Sequence, residues 1–202
     1  MDIFILTLLL VAVAYILNAR QQQKRIVLLA SHLGQYQIEK LMEALTDGYL
    51  RALGESTPER SEQIWRLLHT TESQLSEQFQ RLAIDFSKED AVNTRISRLK
   101  FPLPLATSLF PQATFDLRRA LVVHARGIAE AAMQYPEKSS RDRAYTMSAE
   151  LFLMQHTCHW FCKSAVVASM RMLARHQTPH ELLISSVSPK TRSAYLALIQ
   201  GR

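Results

Sequence analysis

The sequence predicts an all-α protein: a single N-terminal transmembrane helix followed by a multi-helix cytoplasmic bundle with one long central helix. Three observations predict it. An uncharged apolar run, Ile3–Leu17, opens the chain and is followed at once by Arg20, Lys24 and Arg25. The 202 residues contain only 5 Gly and 7 Pro, while the good helix formers Ala, Leu, Arg, Glu, Gln and Met recur. No extended stretch alternates apolar and polar residues, and the one Asp-Gly pair, Asp47-Gly48, lies inside a helical pattern.

The anchor is short. A hydrocarbon core about 30 Å thick takes about 17–25 apolar helical residues, so Met1–Leu17 spans at the lower limit, with Asn18 and Ala19 at the interface. Thr7 is its one polar interruption, and Tyr15 lies where an interfacial aromatic is favoured. A cleaved secretory signal needs positive charge before the apolar run. Here Asp2 precedes it and the positives follow, which favours an inner (plasma) membrane protein with its N-terminus outside and the bulk of the chain cytoplasmic. Met1–Leu17 is the expected lipid contact, with Arg20, Lys24 and Arg25 at the anionic headgroups.

Beyond the anchor (1–19), the pattern divides into a juxtamembrane amphipathic helix (20–54) and a helical bundle domain (55–202) with an apolar, proline-containing linker at 101–111. In the first, Ile38, Leu41, Leu45, Tyr49 and Leu53 form a stripe, Gly34 marks a bend and Gly54 a stop. Ser56-Thr57-Pro58-Glu59 starts the next helix, whose apolar face is Ile64, Leu67, Leu68, Leu75, Phe79, Leu82 and Phe86. A short helix over Lys88–Leu99 follows. Phe101-Pro102-Leu103-Pro104 breaks the pattern, and the apolar segment Phe101–Phe110 is expected to pack on the body. Gln112–Tyr135 is the next helix, ended by Pro136. A long helix then covers Arg141–His176, its seam Met147, Leu151, Met154, Cys158, Phe161, Ala165, Ala168, Met172 stepping by fours and threes. Thr178-Pro-His-Glu181 has capping-box form, and Ser188-Pro189 opens a last helix.

The net charge of +6 sits in the second half: residues 1–100 carry twelve Lys/Arg and twelve Asp/Glu, residues 101–202 twelve and six. These positives (Arg118, Arg119, Arg126, Arg141, Arg143, Arg171, Arg175) are scattered, and no nucleic-acid signature accompanies them. Proximity to anionic lipid is the simpler account, and no nucleic-acid partner is expected. Arg118-Arg119 reads as a solvated face.

The one cluster with chemical potential is Gln155-His156-Thr157-Cys158-His159-Trp160-Phe161-Cys162. His156, Cys158, His159 and Cys162 are ligand types for zinc, iron or haem. At 100° per residue one helix offers two or three of them to one point, and His124 on the preceding helix is the natural further ligand. The order matches neither a zinc ribbon nor the C-x-x-C-H haem attachment. The same residues read first as core, because buried free Cys packs as a small hydrophobe and a core His is satisfied by one hydrogen bond. Cys158 and Cys162, four apart on one helix and in a cytoplasmic domain, are expected to stay reduced. His176 and His180 flank a helix joint and read as capping or surface groups. No Gly-rich phosphate loop, G-x-S-x-G, H-E-x-x-H or EF-hand pattern is present.

The expected function is a membrane-anchored cytoplasmic interaction or scaffold protein, acting with a protein partner or as a homo-oligomer. The alternative is a metal- or haem-binding sensor or redox protein using residues 156–162. A third reading makes Cys162 a nucleophile beside His159, but no orienting acid is identifiable.

Overall fold

The computed structural model describes residues 2–99, 103–133 and 139–201. Among these, ten helices alternate with one two-stranded hairpin. The all-α expectation therefore holds apart from the short strands β1 (Arg95–Ser97) and β2 (Thr114–Asp116), which pair antiparallel with Ile96 opposite Phe115. Three-residue strands are too short for period-2 alternation to show in the sequence. Both apolar partners are buried, and Trp160 packs edge-on against Phe115 at 4.9 Å while its Nε1 donates to Ser97 O at 3.0 Å.

Helix α1 runs unbroken from Asp2 to Leu33. It is long and apolar enough to cross a membrane, and its apolar stretch is not buried in the body. Ile3, Phe4, Leu10 and Tyr15 are 82, 75, 63 and 74% exposed, whereas Leu29 in the inner half is 4% exposed and belongs to the main core. A turn at Gly34–Tyr36 follows, as the loss of phase there predicts, and α2 covers Ile38–Gly54. Ile38, Leu45 and Tyr49 are buried, but Ala52 rather than Leu53 completes the inner face. Helix α3 (Pro58–Phe86) starts with proline in its first turn and buries Leu68, Leu75, Phe79, Leu82 and Phe86. Leu67, expected inward, is 71% exposed.

The expected helix over Lys88–Leu99 is replaced by a single turn, α4 (Ala91–Thr94), and strand β1. After α5 (Ala106–Leu109) and a 3-10 turn at Pro111–Ala113, β2 leads into α6 (Leu117–Ala132), five residues later than expected. The competitor for those five residues is the Asp116 cap. Its Oδ1 accepts from Arg118 N at 2.9 Å and from Thr94 Oγ1 at 2.9 Å, so one carboxylate starts α6 and ties it to α4. Phe101 and Pro102 of the linker, and Tyr135–Pro136 at the expected end of the helix, lie outside the described residues.

The long helix expected over Arg141–His176 is two helices, α7 (Ser140–Cys162) and α8 (Ala165–His176). Ser164 is extended, and its Oγ caps the new helix by accepting from Val167 N at 3.3 Å. A serine inside an apolar periodicity offers the backbone this alternative, and here it prevails. Helix α7 packs against α1, α2, α6, α8 and β1. Two short helices, α9 (His180–Ser186) and α10 (Pro189–Gln200), close the fold, and α9 also packs on α7. Ser188 caps α10 as expected, but the Thr178 capping box does not form: Thr178 Oγ1 donates to His176 O at 2.8 Å instead.

Gly127 on α6 faces Glu150 of α7 and Thr191 of α10 so closely that a Cβ would overlap both side chains. Gly54, at the end of α2, has open space. Gly127→Ala is therefore expected to destabilise by about 1–3 kcal/mol through overpacking. Gly54→Ala is expected to be neutral or stabilising by about 0.5 kcal/mol. Thermal unfolding of the two variants checks the contrast.

Candidate functional site

The sequence-predicted candidates separate into two groups on opposite sides of α7. His124 and His156 face inward and are fully buried. Cys158, His159 and Cys162 line a groove between α7, the inner half of α1 and the start of α2.

The inward group is a polar network inside the core. His124 on α6 meets Thr157 Oγ1 through Nε2 at 2.9 Å. Thr157 Oγ1 donates to Leu153 O at 3.0 Å and lies 3.4 Å from the Tyr195 hydroxyl of α10. Tyr195 OH is 3.4 Å from His180 Nε2, and the His180 ring stacks on His156 with centroids 3.8 Å apart and planes 11° from parallel. His156 Nε2 in turn meets Ser169 Oγ of α8 at 3.0 Å. Five helices thus converge on three imidazoles, one phenol and two hydroxyls. His180 corrects the capping or surface reading, and Tyr195 was not singled out from the sequence at all. Their spacing from His156 carries no helical signal, since both lie beyond the α8–α9 joint.

Burial holds the His124 imidazole down to about 3, and it holds His156 down to about 3 with the added repulsion of His180, His159 and His124. His180 is lowered by burial, and the Tyr195 phenol is raised by it. The imidazoles are therefore neutral at pH 7, which is the state that lets two rings stack face to face. Nearby, Glu150 accepts from Ser188 N at 3.0 Å, and burial raises its carboxyl.

The groove side has a volume of about 610 Å³, within the range of small-molecule sites. Ile26, Leu29, Leu33, Met42 and Met154 make it mainly apolar. Cys158 Sγ contacts Met154 Sδ at 3.8 Å, and burial pushes its thiol up to about 12. Burial also raises the Cys162 thiol, opposed by the Arg25 charge. His159 Nδ1 lies 3.3 Å from the Arg171 guanidinium; burial first, then Arg171 and Arg175, lower its pKa. A nucleophilic Cys162 would require a thiolate, and this setting favours the thiol. Among the described residues, no three His, Cys, Asp or Glu side chains come together in a metal-holding arrangement.

The structure also gathers charges that look scattered in the sequence. Arg95, Arg98, Arg118, Arg119 and Arg126 line one cleft of about 930 Å³ between the hairpin, α6 and α10. Arg118 is not simply solvated: it chelates Asp116 at 2.7 and 3.0 Å and donates to Glu89 O at 2.7 Å. Arg25 is engaged within the fold. It donates to Arg95 O at 3.0 Å and Phe161 O at 3.4 Å and lies over the Phe161 ring, while Arg20 and Lys24 are exposed.

No family model, no curated protein and no solved structure matches this chain.

The buried imidazoles set an acid limit on stability. Their folded pKa lies below the unfolded value near 6.5, so the unfolded state takes up protons first as pH falls through that value. Two such groups cost about 2–3 kcal/mol between pH 7.5 and 5.5. Glu150, raised in the fold, opposes this at the acid end. Thermal midpoints in detergent are expected to fall across this range and to fall less steeply in His124→Gln. A midpoint independent of pH from 7.5 to 5.5 contradicts the burial account.

Proposed function

We propose that this chain is a single-pass, membrane-anchored helical interaction protein. Its N-terminus lies outside, and its body, a bundle organised round α7, lies on the cytoplasmic face of the plasma (inner) membrane. One observation carries the reading: α1 is a single helix whose apolar outer half is bare while its inner half is docked into the core. A bare apolar face of that length has a large cost in water and none in lipid. The order of Asp2 before the span and Arg20 and Lys24 after it supports the orientation. The apolar groove between α1, α2 and α7 supports the interaction half of the reading, as a concave surface where a partner protein or a second copy can bury apolar area.

The protein is expected to stay in the membrane pellet after high-salt washing and to be released by detergent. Its body is expected to be protease-sensitive in inside-out but not right-side-out vesicles. Release by salt would contradict the anchor, and cleavage in right-side-out vesicles alone would contradict the orientation. After gentle detergent extraction, recovery of a co-purifying partner is expected to fall several-fold with Met42→Glu in the groove; recovery unaffected by that change would contradict a partner role for the groove.

A second reading, a metal- or haem-dependent sensor, draws on the shared placement of Cys158, His159 and Cys162 along that groove. Metal analysis and an absorption spectrum of untagged protein test it, with near-zero stoichiometry and no Soret band the contrary result.

A further inference from the structure

The segment Leu103–Phe110 exposes more apolar surface than an ordinary water-facing loop. Leu103, Leu105, Leu109 and Phe110 are 50, 47, 65 and 47% exposed, four large apolar side chains within eight residues. Among the described residues of the segment expected to pack on the body, Ala106 and Thr107 are buried and Pro104 is half-buried.

Four of its backbone N–H groups are paired within the segment. Ala106 N donates to Leu103 O, Ser108 and Leu109 N to Leu105 O, and Phe110 N to Ala106 O, all between 2.9 and 3.3 Å. Leu105 takes up the left-handed conformation, φ 56°, that lets the chain close this turn. A segment with its N–H groups paired in this way can enter a poorly hydrating layer at low cost.

Its position is fixed by α1. Leu105 N donates to Gln21 Oε1 at 3.3 Å, Gln21 Nε2 donates to Thr107 Oγ1 at 3.4 Å, and Leu103 borders the same small hollow as Asn18. Gln21 lies four residues past Leu17, about 6 Å along the helix. The headgroup layer is about 5–8 Å deep on each side of the hydrocarbon core. The exposed apolar turn is thus held beside α1 within about one turn of the end of the bare apolar stretch, and Arg20 and Lys24 are exposed at the same level.

We propose that residues 103–110 are a second membrane contact, an apolar turn that enters the headgroup layer beside the anchor and fixes the body against the bilayer. The occupant of this surface is lipid. The proposal rests on the anchored reading of α1 and refines it from a tether to a two-point attachment.

The test places an environment-sensitive nitrobenzoxadiazole probe at Leu109→Cys in the full chain carrying Cys158→Ala and Cys162→Ala. The protein is reconstituted in phosphatidylethanolamine/phosphatidylglycerol vesicles. Parallel chains carry the probe at Leu10→Cys in the span and at Leu67→Cys on α3. Each position is exposed in the fold, and helicity by circular dichroism confirms that each variant is folded. The expected result is a blue-shifted Leu109 probe, quenched by brominated lipid and at least several-fold less accessible to iodide than the Leu67 probe. A Leu109 probe as accessible to iodide as Leu67, with Leu10 shielded, overturns the second contact and leaves the anchor standing. Full accessibility at Leu10 as well overturns both. A Leu109 probe shielded from iodide but not quenched by brominated lipid assigns the turn to a protein contact and also overturns the proposal.

Discussion

The docking of the inner half of α1 is the constraint on which the rest of the structure depends. Arg25 reaches across to the carbonyls of Phe161 and Arg95, Lys163 Nζ donates to Gln22 Oε1 at 2.8 Å, and Leu29 enters the core. The Phe161 carbonyl belongs to the last turn of α7, where carbonyls lack intrahelical partners and cations are favoured. Arg25 therefore supplies that end with a donor and a charge, and its guanidinium carbon lies over the Phe161 ring, 5.5 Å from the centroid. Farther along α1, His32 contacts Glu89 at 2.9 Å and packs edge-on against Phe86, so a third element holds the same helix. Because α1 is continuous, every one of these contacts also fixes the direction in which its apolar half leaves the body.

That arrangement accounts for where the molecule keeps its polar groups. The face of α7 turned to α6, α9 and α10 carries His156, Thr157 and Glu150, which meet His180 of α9, His124 of α6 with Tyr195 of α10, and Ser188 N respectively; burial lowers the imidazoles and raises the Glu150 carboxyl. Unsatisfied polar groups in a core are costly, and satisfied networks specify one packing. This network joins α6, α7, α8, α9 and α10 into a single unit. The opposite face of α7 carries the thiols, Met154 and the apolar groove. The chain thus separates a buried polar interior from an open apolar flank lying next to the long N-terminal helix.

Much of this was legible in the sequence, for identifiable reasons. The apolar N-terminal helix, long enough to cross a membrane, the Pro58 and Pro189 helix starts, the bend at Gly34 and the Ser188 cap are local signals whose physics does not depend on partners. The break at Ser164 was not legible, because no proline or glycine marks it and the apolar steps continue across it. The hairpin was hidden by its length, and the start of α6 by the Asp116 cap. The sequence groups His124, His156, Cys158, His159 and Cys162 as one candidate ligand set, whereas in the fold His124 and His156 lie in the core and Cys158, His159 and Cys162 line the groove. At about 100° per residue a helical wheel already sets Cys158 about 160° and Cys162 about 120° from His156, and the packing of α1 on one flank and the Tyr195 contact on the other decide which of those faces meets the groove and which the core. His180 and Tyr195 join the network through tertiary contacts that no spacing rule reports.

The central claim is that α1 is one rigid element, half in lipid and half in the core, and that this rigidity positions the body. Amide hydrogen exchange of the full chain in vesicles measures it directly at residues 18–33. The account predicts that this segment exchanges as slowly as the buried turns of α7, with no fast-exchanging amides between the span and Leu29. Rapid exchange at residues 18–25, as in a flexible tether, would contradict it.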